Sequence, residues 1–129
     1  MYEFIQSLVF LQDLEDLKLH VPKCFKKFSD TRVVLDCTEI FIQNPSSLEN
    51  KSLTFSNYKS HNTFKALVGV SMTGVVVFIS KLWPGSASHV EITRSCGLIH
   101  LLKRGDAVMV DKGFIHIAND LKSQGVKLY

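Results

Sequence analysis

Cysteine is scarce in this chain, and what there is does not pair up. Cys24, Cys37 and Cys96 make an odd count of three with no C-x-x-C spacing. That argues against a disulfide framework or a zinc knuckle, and for a reducing compartment. Long apolar runs are lacking too: none reaches the length needed to cross a bilayer, so no membrane partner is expected. The N-terminus reads Met-Tyr-Glu without a basic stretch, so no secretory signal is expected. No internal repeat and no low-complexity tract occurs. Bases are missing from residues 1–16, which hold Glu3, Asp13, Glu15 and Asp16.

At 129 residues, 46% of them apolar, the chain has the material for one domain with a real core. The formal charge is only +3, but its distribution is uneven. Beyond residue 16 lie all 15 bases and eight of the 12 acids. A basic body of that kind is compatible with a polyanionic partner without being diagnostic of one.

Two aspartates stand out because of where they sit. Asp36 lies inside Thr-Arg-Val-Val-Leu-Asp-Cys-Thr-Glu-Ile-Phe-Ile (31–42), and Asp111 ends Ala-Val-Met-Val-Asp (107–111). A carboxylate in a β-branched run is costly to bury unless a positive group meets it. Two such sites suggest a shared cation, an arrangement suited to phosphoryl chemistry.

Periodicity supplies the elements around them. Phe4, Ile5, Leu8, Leu11 and Leu14 predict an amphipathic helix over 3–18, stopped by Pro22. Residues 31–43 predict a long strand with Val33, Leu35 and Cys37 on one face and Val34, Asp36 and Thr38 on the other. Residues 44–60 read as a polar loop anchored by Leu53 and Phe55. Two more strands, 62–71 and 74–83, flank a turn at Thr73-Gly74. Ser86 and Ser88 offer N-caps to a helical stretch, 88–103, bent near Gly97. A short buried strand, 107–111, precedes a last helix over 114–124. The strand–helix–strand crossover makes the fourth strand parallel to its neighbour. Set beside the first strand, it brings Asp111 next to Asp36. The expected fold class is α/β: a ribonuclease H-like mixed sheet of three antiparallel strands plus a parallel fourth, flanked by helices and C-terminally incomplete.

Five ordered blocks carry a resemblance. They are Asp-Cys-Thr-Glu-Ile-Phe-Ile with Asn-Pro-Ser-Ser-Leu (36–48), Phe-Ser-Asn-Tyr-Lys-Ser-His-Asn-Thr-Phe-Lys (55–65), Leu-Val-Gly-Val-Ser (67–71), Trp-Pro-Gly-Ser (83–86) and Gly-Asp-Ala-Val-Met-Val-Asp-Lys-Gly-Phe (105–114). Together they resemble Harbinger-like DDE transposases, the DDE superfamily endonucleases. The resemblance covers roughly residues 25–129, which divides the chain into an N-terminal helical segment (1–22) and a partial endonuclease domain (23–129).

The resemblance implies a core that cuts and joins DNA with Mg²⁺ or Mn²⁺, acting in the nucleus, with the cytoplasm as the alternative. Its first two acids map to Asp36 and Asp111 as catalytic and metal-holding residues. Its third, a glutamate on a later helix, would lie past residue 129, so the chain reads as a fragment or degenerate copy, inactive alone. His89 stands where relatives carry an aspartate. Lys59, His61, Lys65 and Lys112 are candidate phosphate contacts. Tyr58 and Trp83 are expected in core packing, with base stacking as the alternative. Glu39, three residues from Asp36, points to the other face and reads as structural, paired with a lysine. The expected partners are DNA, a second copy of the chain, or a companion DNA-binding protein. The alternative function is a non-catalytic DNA-binding or protein-interaction remnant. With only 18 residues after Asp111, no fifth strand is expected, and the outer edge of the 107–111 strand should be unpaired.

Overall fold

The computed structural model describes residues 14–129. Most of the helix expected over 3–18 lies outside that range. Its end is present as α1 (Leu14–Leu19), with Glu15 and Asp16 in the first turn and Lys18 in the last, the polarity that suits a helix dipole. Pro22, in extended conformation, opens a short 3₁₀ helix, Lys23–Phe28.

β1 (Thr31–Phe41) is the long expected strand. Its burial alternates as the sequence requires: Val33 and Leu35 are buried, whereas Asp36 and Thr38 are exposed. β3 (His61–Val70) runs antiparallel along one side of it, with Leu35 opposite Gly69 and Asp36 opposite Val68. The outer edge of β3 is covered by three short strands in turn. These are β2 (Phe55–Ser56), β5 (Trp83–Pro84) and β4 (Val76–Ile79). On the other side of β1 lies β6 (Ala107–Met109), parallel as the crossover demands. The β1–β6 register is irregular between Thr31 and Val33. The result is a mixed α/β fold with parallel and antiparallel pairing in one sheet.

The expected bare edge is corrected. β7 (Lys127–Leu128) pairs parallel with β6, Ala107 opposite Lys127 and Val108 opposite Leu128. The backbone N–H of Lys127 donates to Asp106 O, that of Tyr129 to Val108 O, and that of Val110 to Tyr129 O. Two residues of strand suffice because the tight turn at Gln124–Gly125 returns the chain directly onto β6. Lys127 Nζ and the Tyr129 hydroxyl both reach Asp30, at 2.9 and 2.8 Å, which ties this end to the start of β1.

Segment 44–60 also differs from expectation. It contains α2 (Leu48–Thr54), capped by Ser47, whose hydroxyl accepts from Asn50 N. The side chains of Leu53 and Phe55 remain exposed, the residues being 49% and 40% exposed, and do not anchor the segment in the core. The anchor is polar: Asn62 Nδ2 donates to Lys51 O at 2.7 Å and to Thr54 Oγ1 at 2.9 Å. Helical residues 88–103 divide into α3 (His89–Ser95), capped by Ser88, and α4 (Leu98–Leu101). Gly97, at φ 84°, makes the break between them in a conformation that side-chain-bearing residues avoid.

A 3₁₀ turn (Lys112–Ile117) and α5 (Ala118–Ser123) complete the layer over one sheet face. Val33, Leu35, Leu67 and Val108 from the sheet pack with Ile92, Leu98, Phe114, Ile117 and Leu121 from the helices. Gly85 shows how tightly the far end is held. A Cβ there would lie 2.3 Å from Thr63 Oγ1 and 2.4 Å from Thr54 O. Beneath the bulge, Arg32 and Asp106 form a buried ion pair at 3.2 Å.

Candidate acidic site

The two aspartates are set by strand register. Val34 pairs with Met109 in the parallel β1–β6 ladder. Two residues further along each chain stand Asp36, on the sheet face opposite Val33 and Leu35, and Asp111, just past the end of β6 as the N-cap of the 3₁₀ turn. Adjacent strands lie about 4.8 Å apart. Both side chains are exposed rather than buried in the apolar runs that flank them. Neither carboxylate is therefore desolvated, contrary to expectation. Asp36 is exposed because it lies on the outward face of β1, and Asp111 because it lies past the end of β6.

Each carboxylate is steadied by the backbone. Asp36 Oδ1 accepts from Cys37 N at 2.8 Å, and Asp111 Oδ1 accepts from Gly113 N at 2.8 Å as the N-cap of the 3₁₀ turn. Among the described residues neither aspartate joins an ion pair. Exposed carboxylate oxygens are the hard donors that Mg²⁺ and Mn²⁺ prefer, with water completing the shell. By donor chemistry Asp36 and Asp111 fit such an ion. No group of three or more His, Cys, Asp or Glu side chains that could hold a metal occurs among the described residues.

His89 comes close to Asp111, which sequence spacing did not reveal. A point one Cβ out from Gly113 lies 3.0 Å from His89 Nδ1 and 3.1 Å from Asp111 Oδ1. The imidazole also packs on the Phe114 ring, with centroids 4.9 Å apart. Gly113 therefore serves less as a flexible turn than as an absence of bulk between two polar side chains. The signal available in sequence was the departure at His89 itself.

Cys37, beside Asp36, is no rival ligand. Burial first, and then the Asp36 carboxylate, push its thiol up to about 12 despite the opposing charge of Lys65. It stays protonated at neutral pH and is a poor nucleophile and a poor ligand.

The candidate phosphate contacts do not share one environment. Lys112 and Lys59 are exposed, Lys59 with its ammonium 5.0 Å from the Tyr58 ring centroid. His61 is half-buried and stacks flat on Phe41 at 4.7 Å. Lys65 is corrected: it is buried, donating to Ala87 O at 2.9 Å and paired with Glu39 at 3.8 Å. Its ammonium neutralises an internal acid and is closed to a phosphate. Glu39 has the structural role expected of it, and it also accepts from Thr63 Oγ1 at 2.8 Å. Trp83 packs against the core, but Tyr58 is 85% exposed and does not.

The fold is a mixed α/β sheet with one exposed aspartate on β1 and another just past the end of the parallel strand β6. The family model for the DDE superfamily endonuclease matches residues 35–125, most of the chain and both aspartates, and the chain belongs to that family. No curated protein and no solved structure matches it. Membership makes it a transposase-type nuclease domain with DNA as the implied substrate. No helix among the described residues is long and apolar enough to cross a membrane.

Proposed function

We propose that this chain is a Harbinger-like, transposase-derived DNA endonuclease or strand-transfer core with a ribonuclease H-like sheet, in which Asp36 and Asp111 hold a divalent cation. The observation that supports the reading is the β1–β6 register, whose last pair, Val34–Met109, stands two residues before Asp36 and Asp111. A divalent ion there supplies charge neutralisation at the attacked phosphodiester. The chain's own part is positioning. Cys37 N and Gly113 N fix one oxygen of each carboxylate, so the remaining oxygens are presented with little freedom to rotate. Exposed Lys112, next to Asp111, is placed to meet a phosphate oxygen.

Two carboxylates fix one ion better than two. We propose that residues 1–129 bind Mg²⁺ or Mn²⁺ weakly and do not cut DNA by themselves. Cleavage would then need a further acid, and target choice a companion DNA-binding protein, in the nucleus. The missing third ligand among the described residues also supports a second reading, a domesticated remnant that binds DNA without cutting it.

The test is calorimetric titration with Mn²⁺ together with an assay on nicked and intact duplex. The expected result is weak binding, abolished by Asp36→Asn or Asp111→Asn, and no strand scission. Robust metal-dependent cleavage lost in Asp36→Asn would refute the inactivity. Mn²⁺ binding that survives both substitutions would refute the site.

A further inference from the structure

The end of the sheet at the tip of β1 and the start of β3 carries an unusual surface. Phe41, at the tip of β1, is 60% exposed and lies flat against His61, with an interplanar angle of 13°. Two residues before His61 in the same turn, Lys59 sits over Tyr58, which is 85% exposed. Ser60 between them has φ 50°, a left-handed conformation that is uncommon outside glycine and fixes the turn. A shallow groove lined by Leu48, Lys51, Phe55 and Asn57 adjoins the turn. Here two aromatic rings, each already stacked with or capped by a cationic or ionisable group, are held outward rather than buried.

We propose that Phe41, Tyr58, Lys59 and His61 form a stacking platform for unpaired bases of single-stranded DNA. The proposal rests on the DNA-nuclease reading and adds a subsite to it. An exposed ring next to a cation matches a nucleotide, which offers a π face and a phosphate together. The charge agrees. The adjacent acid on β1, Glu39, is buried and neutralised by Lys65, while Lys51 and Lys59 are exposed. A second copy of the chain is the poorer occupant, because a two-fold contact would set this basic patch against itself.

The experiment is fluorescence anisotropy with the whole chain, using a labelled single-stranded oligonucleotide and a duplex of the same length, both in a chelator so that metal plays no part. The single strand should bind more tightly. Tyr58→Ala and Phe41→Ala should each weaken single-strand binding about tenfold while leaving duplex binding unchanged, and Tyr58→Phe should retain it. Tyr58 is so exposed that its replacement does not threaten the fold. Wild-type affinity in both alanine variants overturns the platform, and so does failure of the unaltered chain to bind single strands. A dimer in sedimentation that Tyr58→Ala dissolves would instead make the patch an interface between copies. The Mn²⁺ titration separates the two readings. Tyr58-dependent binding can persist when the metal site fails, and the metal site can stand when the platform fails.

Discussion

Removing Glu39 should be among the most damaging single changes available to this domain. Its side chain is 4% exposed, and that of Lys65 is 9% exposed, 3.8 Å away. At an effective dielectric of about 20, two unit charges at that separation attract by about 4 kcal/mol. Glu39→Leu leaves the ammonium buried with Ala87 O as its remaining partner and leaves the Thr63 hydroxyl without its acceptor. Breaking a buried pair from one side costs about 3–5 kcal/mol, against a total margin of about 5–15 kcal/mol. For a domain of this size that is a fall of roughly 10–20 °C in Tm. The double variant Glu39→Leu with Lys65→Met removes both charges and should recover most of the loss, ending within about 2 kcal/mol of wild type. Thermal and urea melts of the four proteins form a double-mutant cycle. A single variant that melts within a couple of degrees of wild type would refute the reasoning. So would losses that simply add, because they would show that the two charges do not depend on one another.

Gly85→Ala should destabilise by about 1–3 kcal/mol or more, read as a lowered urea midpoint, since the new methyl meets Thr63 and the Thr54 carbonyl at 2.3–2.8 Å. Asp111→Asn should leave stability nearly unchanged, because asparagine also caps, whereas Asp111→Ala should lose about 0.5–2 kcal/mol; both should lose Mn²⁺ affinity, and equal melts for the two would show that the cap contributes nothing. For Asp30, burial alone would raise the carboxyl, but hydrogen bonds from Lys127 and Tyr129 and the Lys127 charge hold it below its ordinary 3.8. A depressed carboxyl contributes stability that is present above the unfolded value and lost as pH falls through the folded one. Asp30→Asn should therefore flatten the loss of stability below about pH 4, and an acid melt as steep as that of wild type would count against the clasp.

The sequence shows its strands where one face is buried and the other is not. Alternation in β1 is legible because Val33 and Leu35 enter the core while Asp36 and Thr38 face out. The parallel placement of β6 follows from handedness, with no long-range information needed. Two residues cannot show a period, so β2 and β7 pass as loop, and β5 merges with β4 into a single expected strand over 74–83. β7 in particular is recruited by the ready edge of β6 and not by any preference of Lys127 or Leu128. The acids of the site were visible by their odd company, but His89 was not, because its nearness to Asp111 depends on how α3 packs against the 3₁₀ turn. The burial of Lys65 was hidden for a different reason. A lysine in a strand reads as solvated until an internal acid is known to face it.

The irregularity at Arg32 acts on the sheet as an inserted letter acts on a reading frame. Thr31 stands opposite Ala107, yet Val33 stands opposite Val108 and Val34 opposite Met109. Continued in the first frame, Asp111 would face Leu35, and the two carboxylates would project from opposite sides of the sheet. Continued in the second, Asp111 would face Asp36. Arg32 is pinned at the point of slippage by Asp106, the residue immediately before β6. Loss of one residue between Val33 and Asp36 would keep both aspartates and their strands, and still part them. Among decaying copies of such a gene, counting acids would pass that lesion as intact, whereas the spacing upstream of the first aspartate would reveal it.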